Sequence, residues 1–125
     1  MKIEVSNGEL LDKLSILEVK RTNIVDASKI FFLDLEFEHL LKNVSALGFE
    51  CDDDDLYARL KEINFELWDI EDEIREKEER KEFDYRFIEL SRLIYIRNDE
   101  RARIKKELDI TTKSKFREQK GHKTV

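Results

Sequence analysis

From Leu56 to Ile74 the large aliphatic residues fall at Leu56, Leu60, Ile63, Leu67, Ile70 and Ile74. Steps of three and four put all six on one stripe of an α-helix, and little in the chain would interrupt it, since proline is absent and there are only 3 glycines. The spacing recurs. An earlier run carries Ile30, Leu33, Phe37, Leu40, Val44 and Leu47, and a later one carries Phe83, Phe87, Leu90, Ile94, Arg97, Arg101, Ile104 and Leu108. The chain is therefore expected to be all-α, an antiparallel helical bundle of about four main helices, with residues 1–125 forming a single domain.

Capping signals set the expected boundaries. In "SNGE", Ser6 and Glu9 have the capping-box form and open a first helix that carries Leu10, Leu14, Leu17 and Ile24 on one face. The segment "VDASK" interrupts it, with Asp26 or Ser28 as cap of the second helix, and Gly48 is placed to end that helix. The acidic run Asp52 to Asp55 suits a helix start, where free N–H groups favour negative charge. It lacks the glycine and distal glutamate of a calcium loop. A long third helix from about Leu56 to Arg80 and a fourth from Asp84 to about Leu108 then form a hairpin, and Met1 to Val5 form a short extended arm.

Composition excludes several classes. With 43% charged and 40% hydrophobic residues, the chain is too apolar for a disordered protein and too charged for a membrane protein. No apolar run is long enough to span a bilayer, and Met1 to Val5 are too short and mixed for a signal peptide, so a cytoplasmic protein without membrane contact is expected. The formal net charge of -6 argues against general nucleic-acid binding, which depends on neutralising phosphates. Cys51 has no second cysteine to pair with, and one Cys with two distant His, His39 and His122, does not supply a zinc tetrahedron. No metal or cofactor is expected, and no phosphate-cradling glycine motif is present.

The stretch "NFELWDIEDEIR" holds the only tryptophan. On a helix Asn64, Trp68, Glu71 and Arg75 share one stripe that flanks the core seam, and Trp68 is expected to be mostly buried against the fourth helix near Ile94 or Tyr95. Arg97 and Arg101 enter the apolar series of the fourth helix. They either snorkel to the rim or meet Glu71 or Asp72 across the hairpin.

Three segments, "GELLDKLSILEVK" (Gly8 to Lys20), "NFELWDIEDEIR" (Asn64 to Arg75) and "FIELSRLIYIRNDERARIK" (Phe87 to Lys105), resemble the motif blocks of an uncharacterised family of small helical proteins from bacteria and bacteriophages. The resemblance spans nearly the whole chain and names no activity. It implies that the polar positions Lys13, Glu18, Lys20, Asn64, Trp68, Glu71, Asp72, Arg75, Arg92, Tyr95, Asn98, Asp99, Arg101 and Lys105 belong to the family's pattern. The closing "KSKFREQKGHK" matches weakly, so no role is implied for Ser114, Glu118 or Lys120.

The leading expectation is a small accessory or binding protein that takes a small anionic ligand or a protein partner around Trp68 and Arg101. Two all-α enzyme types are the rivals. A magnesium-dependent nucleotide pyrophosphohydrolase needs converging carboxylates, for which Glu66 with Asp69 and Glu73 with Glu76 have the spacing. A chorismate-mutase-like enzyme needs converging cations, for which Lys13, Arg75, Arg92 and Arg101 are the candidates. On the second helix Phe31, Phe32 and Leu35 cannot all face the side that Leu33, Phe37 and Leu40 occupy, and they predict a homo-oligomer. The basic stretch from Thr111 to Val125 is expected to dock through Phe116 on the acidic third helix near Asp69 to Glu76.

Overall fold

The computed structural model describes residues 2–116, 119 and 121–123. Within them the chain forms α1 (Asn7–Asn23), α2 (Ala27–Ala46), one 3-10 turn (Cys51–Asp53), α3 (Asp55–Glu79) and α4 (Tyr85–Thr111). This is the all-α bundle that the apolar spacing implies, and no strand occurs among the described residues. The caps are largely those of the sequence. Asp26 Oδ1 accepts from the backbone N–H groups of Ser28 and Lys29, Asp54 from Tyr57, and Asp84 from Phe87. Ser6 Oγ accepts from the Glu9 N–H at 3.1 Å, but the Glu9 carboxylate turns away to meet Lys105 Nζ at 2.6 Å, so the box is closed on one side only.

Left-handed residues close α2, α3 and α4. Gly48 ends α2 with φ 74°, while Lys81 (φ 58°) and Lys113 (φ 56°) do the same work without glycine after α3 and α4. At α3 the Glu82 N–H donates to Lys77 O and the Lys81 N–H to Glu78 O, the paired bonds of a Schellman turn. The same pair recurs after α4, where Ser114 N–H meets Asp109 O and Lys113 N–H meets Ile110 O. That second turn folds the chain back onto the start of α1.

The core lies where α1 crosses the α3/α4 hairpin. Leu11, Leu14, Leu60, Ile63 and Leu108 are at most 1% exposed, joined by Val44 of α2 and by Tyr57 and Ile104. At 1.5 Å per residue α3 and α4 run about 37 and 40 Å, whereas α1 runs about 25 Å. The hairpin therefore outreaches the helix packed on it. α2 lies along α1 and makes no close backbone approach to α3 or α4.

One edge of the hairpin is laced by ion pairs. Arg59 clasps Glu100 through two bonds of 2.8 and 2.9 Å, Arg97 meets Glu66, Arg86 clasps Glu73 at 2.7 and 2.8 Å, and Lys77 reaches Asp84 at 3.0 Å. As the position on α3 rises, that on α4 falls in step, which is the register of an antiparallel pair. Arg97 is thus level with Glu66 and does not meet Glu71 or Asp72. The Arg59 guanidinium, through its hydrogen bonds and charge, holds Glu100 below the usual glutamate range.

A glycine fixes the approach of α1 to α4. A Cβ on Gly8 would lie 2.3 Å from the Lys105 carbonyl oxygen and 2.8 Å from Asp109 Oδ1. Neither backbone nor a buried carboxylate can yield that far without moving α1. Gly8→Ala should therefore destabilise the fold by about 2 kcal/mol or more in urea denaturation, although alanine is the better helix former. Glu100→Gln should cost about 1 kcal/mol at pH 7. Because the folded-state pKa of Glu100 is lowered, its contribution is complete above an unfolded value of about 4.3 and is lost as pH falls through the lower folded value. The gap between parent and variant, read from urea curves, should close in acid.

Candidate functional site

The polar face of α1 meets α3 and α4 around one carboxylate. Asp12 is 1% exposed and sits in the core register beside Leu11, one turn from Ser15. Its Oδ1 accepts from Asn64 Nδ2 and from Arg101 Nε, both at 3.0 Å, and its Oδ2 accepts from Arg101 Nη2 at 2.5 Å. Lys105 Nζ stands 3.9 Å from Oδ2. Asn64 also donates to Ser15 Oγ at 2.7 Å, and that hydroxyl donates to the Asp12 carbonyl at 2.7 Å. Among the described residues no buried side-chain polar atom lacks a partner. A buried charge is tolerated only under that condition.

The seam continues to the end of α1. Gly8 N–H donates to Asp109 Oδ1 at 2.6 Å and Asn7 N–H to Ser114 Oγ at 3.0 Å, while Asn7 Nδ2 meets the Thr112 hydroxyl at 3.0 Å. With Glu9 N–H on Ser6, the first three N–H groups of α1 are all satisfied, two of them from a part of the chain more than 100 residues away. Thr112 and Ser114, at the start of the basic tail, thus engage the start of α1. Lys115 approaches Glu4, and Phe116 is 45% exposed. Arg117, Glu118 and Lys120 lie outside the described residues.

Beside this seam lies a groove of about 460 Å³, lined by Ile16, Val19 and Lys20 of α1, by Asn64, Leu67, Trp68, Glu71, Asp72 and Arg75 of α3, and by Asn98 and Arg101 of α4. It forms where α1 ends against the longer hairpin. Lys20, Asn64, Trp68, Glu71, Asp72, Arg75, Asn98 and Arg101 were all singled out in the sequence, and all eight converge here. Trp68 is half-buried and lines the groove with Ile16, Val19 and Leu67. Tyr95, its expected neighbour, is 65% exposed, because it lies further round α4 than Asn98. Glu71 bonds Arg75 at 3.2 Å along one exposed helix face. Such a pair contributes only about 0.5 kcal/mol and leaves the Arg75 head in solvent.

The remaining candidates are elsewhere. Lys13 and Arg92 are exposed, Asp99 is 4% exposed, and Lys105 is buried within the seam, bonded to Glu9. Sequence reasoning missed Asp12, Asp109, Gly8 and Ser15. The signal for Asp12 was present, since a carboxylate one step from Leu11 and two before Leu14 falls within the buried stripe of α1.

The carboxylates proposed for magnesium do not converge. Glu66 is held by Arg97 and Arg59, and Glu73 by Arg86. No group of three or more His, Cys, Asp or Glu side chains among the described residues is arranged to hold a metal ion. The cations proposed for a dianion are dispersed as well, since Arg101 is committed to Asp12 while Lys13 and Arg92 lie outside the groove. Burial, with Glu18, Asp52 and Asp54 adding to it, pushes the Cys51 thiol up to about 11, so it stays protonated and unreactive at neutral pH.

A family model described as a family of unknown function, DUF6165, matches residues 1–125. The chain belongs to that family. No curated protein and no solved structure matches it. In this DUF6165 chain the groove and the Asp12 seam are therefore read from their own chemistry.

The seam makes a quantitative demand. Asp12→Ala takes from Arg101 and Asn64 the carboxylate they share, and Arg101→Ala removes the bidentate partner of a buried carboxylate, so each should cost about 3–5 kcal/mol in chemical denaturation. The double replacement Asp12→Leu with Arg101→Met should recover much of that loss. Strict additivity of the two single effects would show that the pair is not a unit.

Proposed function

We propose that this DUF6165 protein is a small cytoplasmic binding protein that holds a small anionic ligand in the groove beside Trp68. The meeting of Lys20 of α1, the Asn64, Trp68, Glu71 and Arg75 stripe of α3 and Asn98 and Arg101 of α4 on one concavity carries the reading. A volume of about 460 Å³ lies within the range of small-molecule sites, and the floor of Trp68, Leu67, Ile16 and Val19 offers apolar contact to the body of a ligand. The polar groups differ in availability. Arg101 is occupied by Asp12, whereas Lys20 makes no ion pair among the described residues and Arg75 is tied only by its exposed Glu71. Lys20 and Arg75 are then the cations that meet the anion, with Asn98 donating from α4. Asp72, also without an ion pair among the described residues, favours a ligand that brings a hydrogen-bond donor as well.

The seam beneath supports binding by fixing the groove wall. Asn64 and Arg101 are each held by Asp12, so two lining side chains are positioned before a ligand arrives and little ordering cost falls on association. Self-association belongs to the same reading: α2 presents Phe31, Phe32 and Leu35 at 60%, 68% and 53% exposure, and we assign that face to contact with a second copy. The two surfaces are separate. No helix among the described residues is long and apolar enough to cross a membrane.

Trp68 makes the test direct, because it is the only tryptophan and lies on the groove floor. Titration with nucleotides, sugar phosphates and dicarboxylates, followed by its fluorescence, should find a class that quenches or shifts the emission and raises the melting temperature by mass action. Lys20→Ala should weaken that ligand about tenfold with an unchanged melting temperature of the free protein. Arg92→Ala should leave affinity as it was. Emission unmoved by every anion in the panel would overturn the proposal.

A further inference from the structure

α1 borders a second concavity on its other flank. Ile16, Val19 and Lys20 line the groove beside Trp68, whereas Glu18 and Arg21, on the opposite side of the same two turns, line a cleft of about 440 Å³. Its walls are Ile30 and Asp34 of α2 and Lys61 and Phe65 of α3. Because α2 packs along α1 and makes no close backbone approach to α3, the cleft is the gap between α2 and α3, with α1 joining them. Three helices shape it.

The charges in the cleft are paired but not fully engaged. Glu18 Oε2 accepts from the buried Tyr57 hydroxyl at 2.8 Å, which holds the carboxylate in place. Lys61 Nζ stands 3.7 Å from that oxygen, within reach of an ion pair and beyond that of a hydrogen bond. Arg21 Nε lies 2.8 Å from Asp34 Oδ1, and its guanidinium sits 4.3 Å over the Phe37 ring. Among the described residues, then, Lys61 Nζ donates no hydrogen bond and Asp34 Oδ2 accepts none. A cationic donor on α3 and an anionic acceptor on α2 border one gap. Two positive and two negative side chains balance there, so a simple anion or cation meets no net attraction, while a molecule that carries both signs meets a partner for each.

We propose that this cleft is a second ligand site, for a small zwitterion with an aliphatic body, whose carboxylate bonds Lys61 of α3 and whose ammonium bonds Asp34 of α2. Ile30 and Phe65 take the aliphatic part. Bound in this way, the ligand ties α2 to α3. That bridge falls where the fold has least support, since Val44 is the only buried residue of the 20 in α2, whereas α1, α3 and α4 share the Asp12 seam. A helix so lightly held opens at low cost, and a ligand that binds only the closed arrangement opposes the opening by mass action.

Backbone amide chemical shifts of the full chain test the site residue by residue. Leucine and γ-aminobutyrate carry both charges at short and long spacing, and at least one of them should give saturable shifts at Glu18, Arg21, Asp34 and Lys61. N-acetylleucine and butylamine carry one charge each and should bind at least about tenfold more weakly. Asp34→Asn and, separately, Lys61→Met should each weaken the zwitterion about tenfold. Both side chains are largely exposed, so the helical circular dichroism should be unchanged. Hydrogen exchange across α2 should slow when the ligand is bound, with α4 as it was. Absence of shifts in the cleft with either zwitterion overturns the site. Equal binding of N-acetylleucine, or binding indifferent to both substitutions, overturns the assignment of the charges, and binding without slower exchange in α2 overturns the bridge.

Discussion

Asp12 is a fully buried carboxylate of α1 that bonds side chains of both α3 and α4, and the arrangement of those three elements follows from satisfying it. A bare carboxylate at 1% exposure would be intolerable, so Arg101 of α4 must lie flat against α1 and Asn64 of α3 must point at the same oxygen. Those two demands fix both the rotation of α1 and its position along the hairpin. An apolar stripe alone would let α1 slide by a turn, since leucine packs nearly as well on one leucine as on the next. The polar bonds have no such tolerance. Whether the ion pair adds net stability over an apolar core is a separate matter, and its clearest role is in specifying one register.

The start of α1 shows the same constraint from the backbone side. Its first N–H groups are pressed against α4, where water cannot serve them all, and they are met by Asp109 and Ser114. Gly8 permits the approach and the turn after Thr112 delivers Ser114 to it. The start of α1 and the turn after α4 are thus joined by hydrogen bonds across more than 100 residues. Removal of the segment after Asp109 would expose the helix start as well as trim a tail.

Local signals explain what was legible beforehand. Asp26, Asp54 and Asp84 cap their helices from within three residues, and apolar spacing reports the buried face of each helix, so the number, type and limits of the helices could be read from neighbours along the chain. The groove was legible for the same reason, because Asn64, Trp68, Glu71 and Arg75 share a stripe by helical geometry alone. Partnerships between helices were not. Arg97 was level with Glu66 and not Glu71, and Arg101 turned to α1 and not α3, because register and the position of α1 depend on contacts that no local pattern encodes.

The groove exists because α1 is too short for the hairpin it crosses. α1 ends at Asn23 while α3 and α4 continue for several turns, and the flank of α1 that carries Ile16, Val19 and Lys20 meets the hairpin in a concave corner lined by Trp68. Lengthening α1 by a turn would fill that corner with its own side chains; the break at Ile24, Val25 and Asp26 prevents this by turning the chain into α2. The same break leaves α2 beside α1 with one face uncovered. A single feature of the sequence, the early end of α1 before the Asp26 cap, therefore creates both the groove and the open face of α2. It also keeps them apart, so that occupation of the groove and pairing through α2 need not compete.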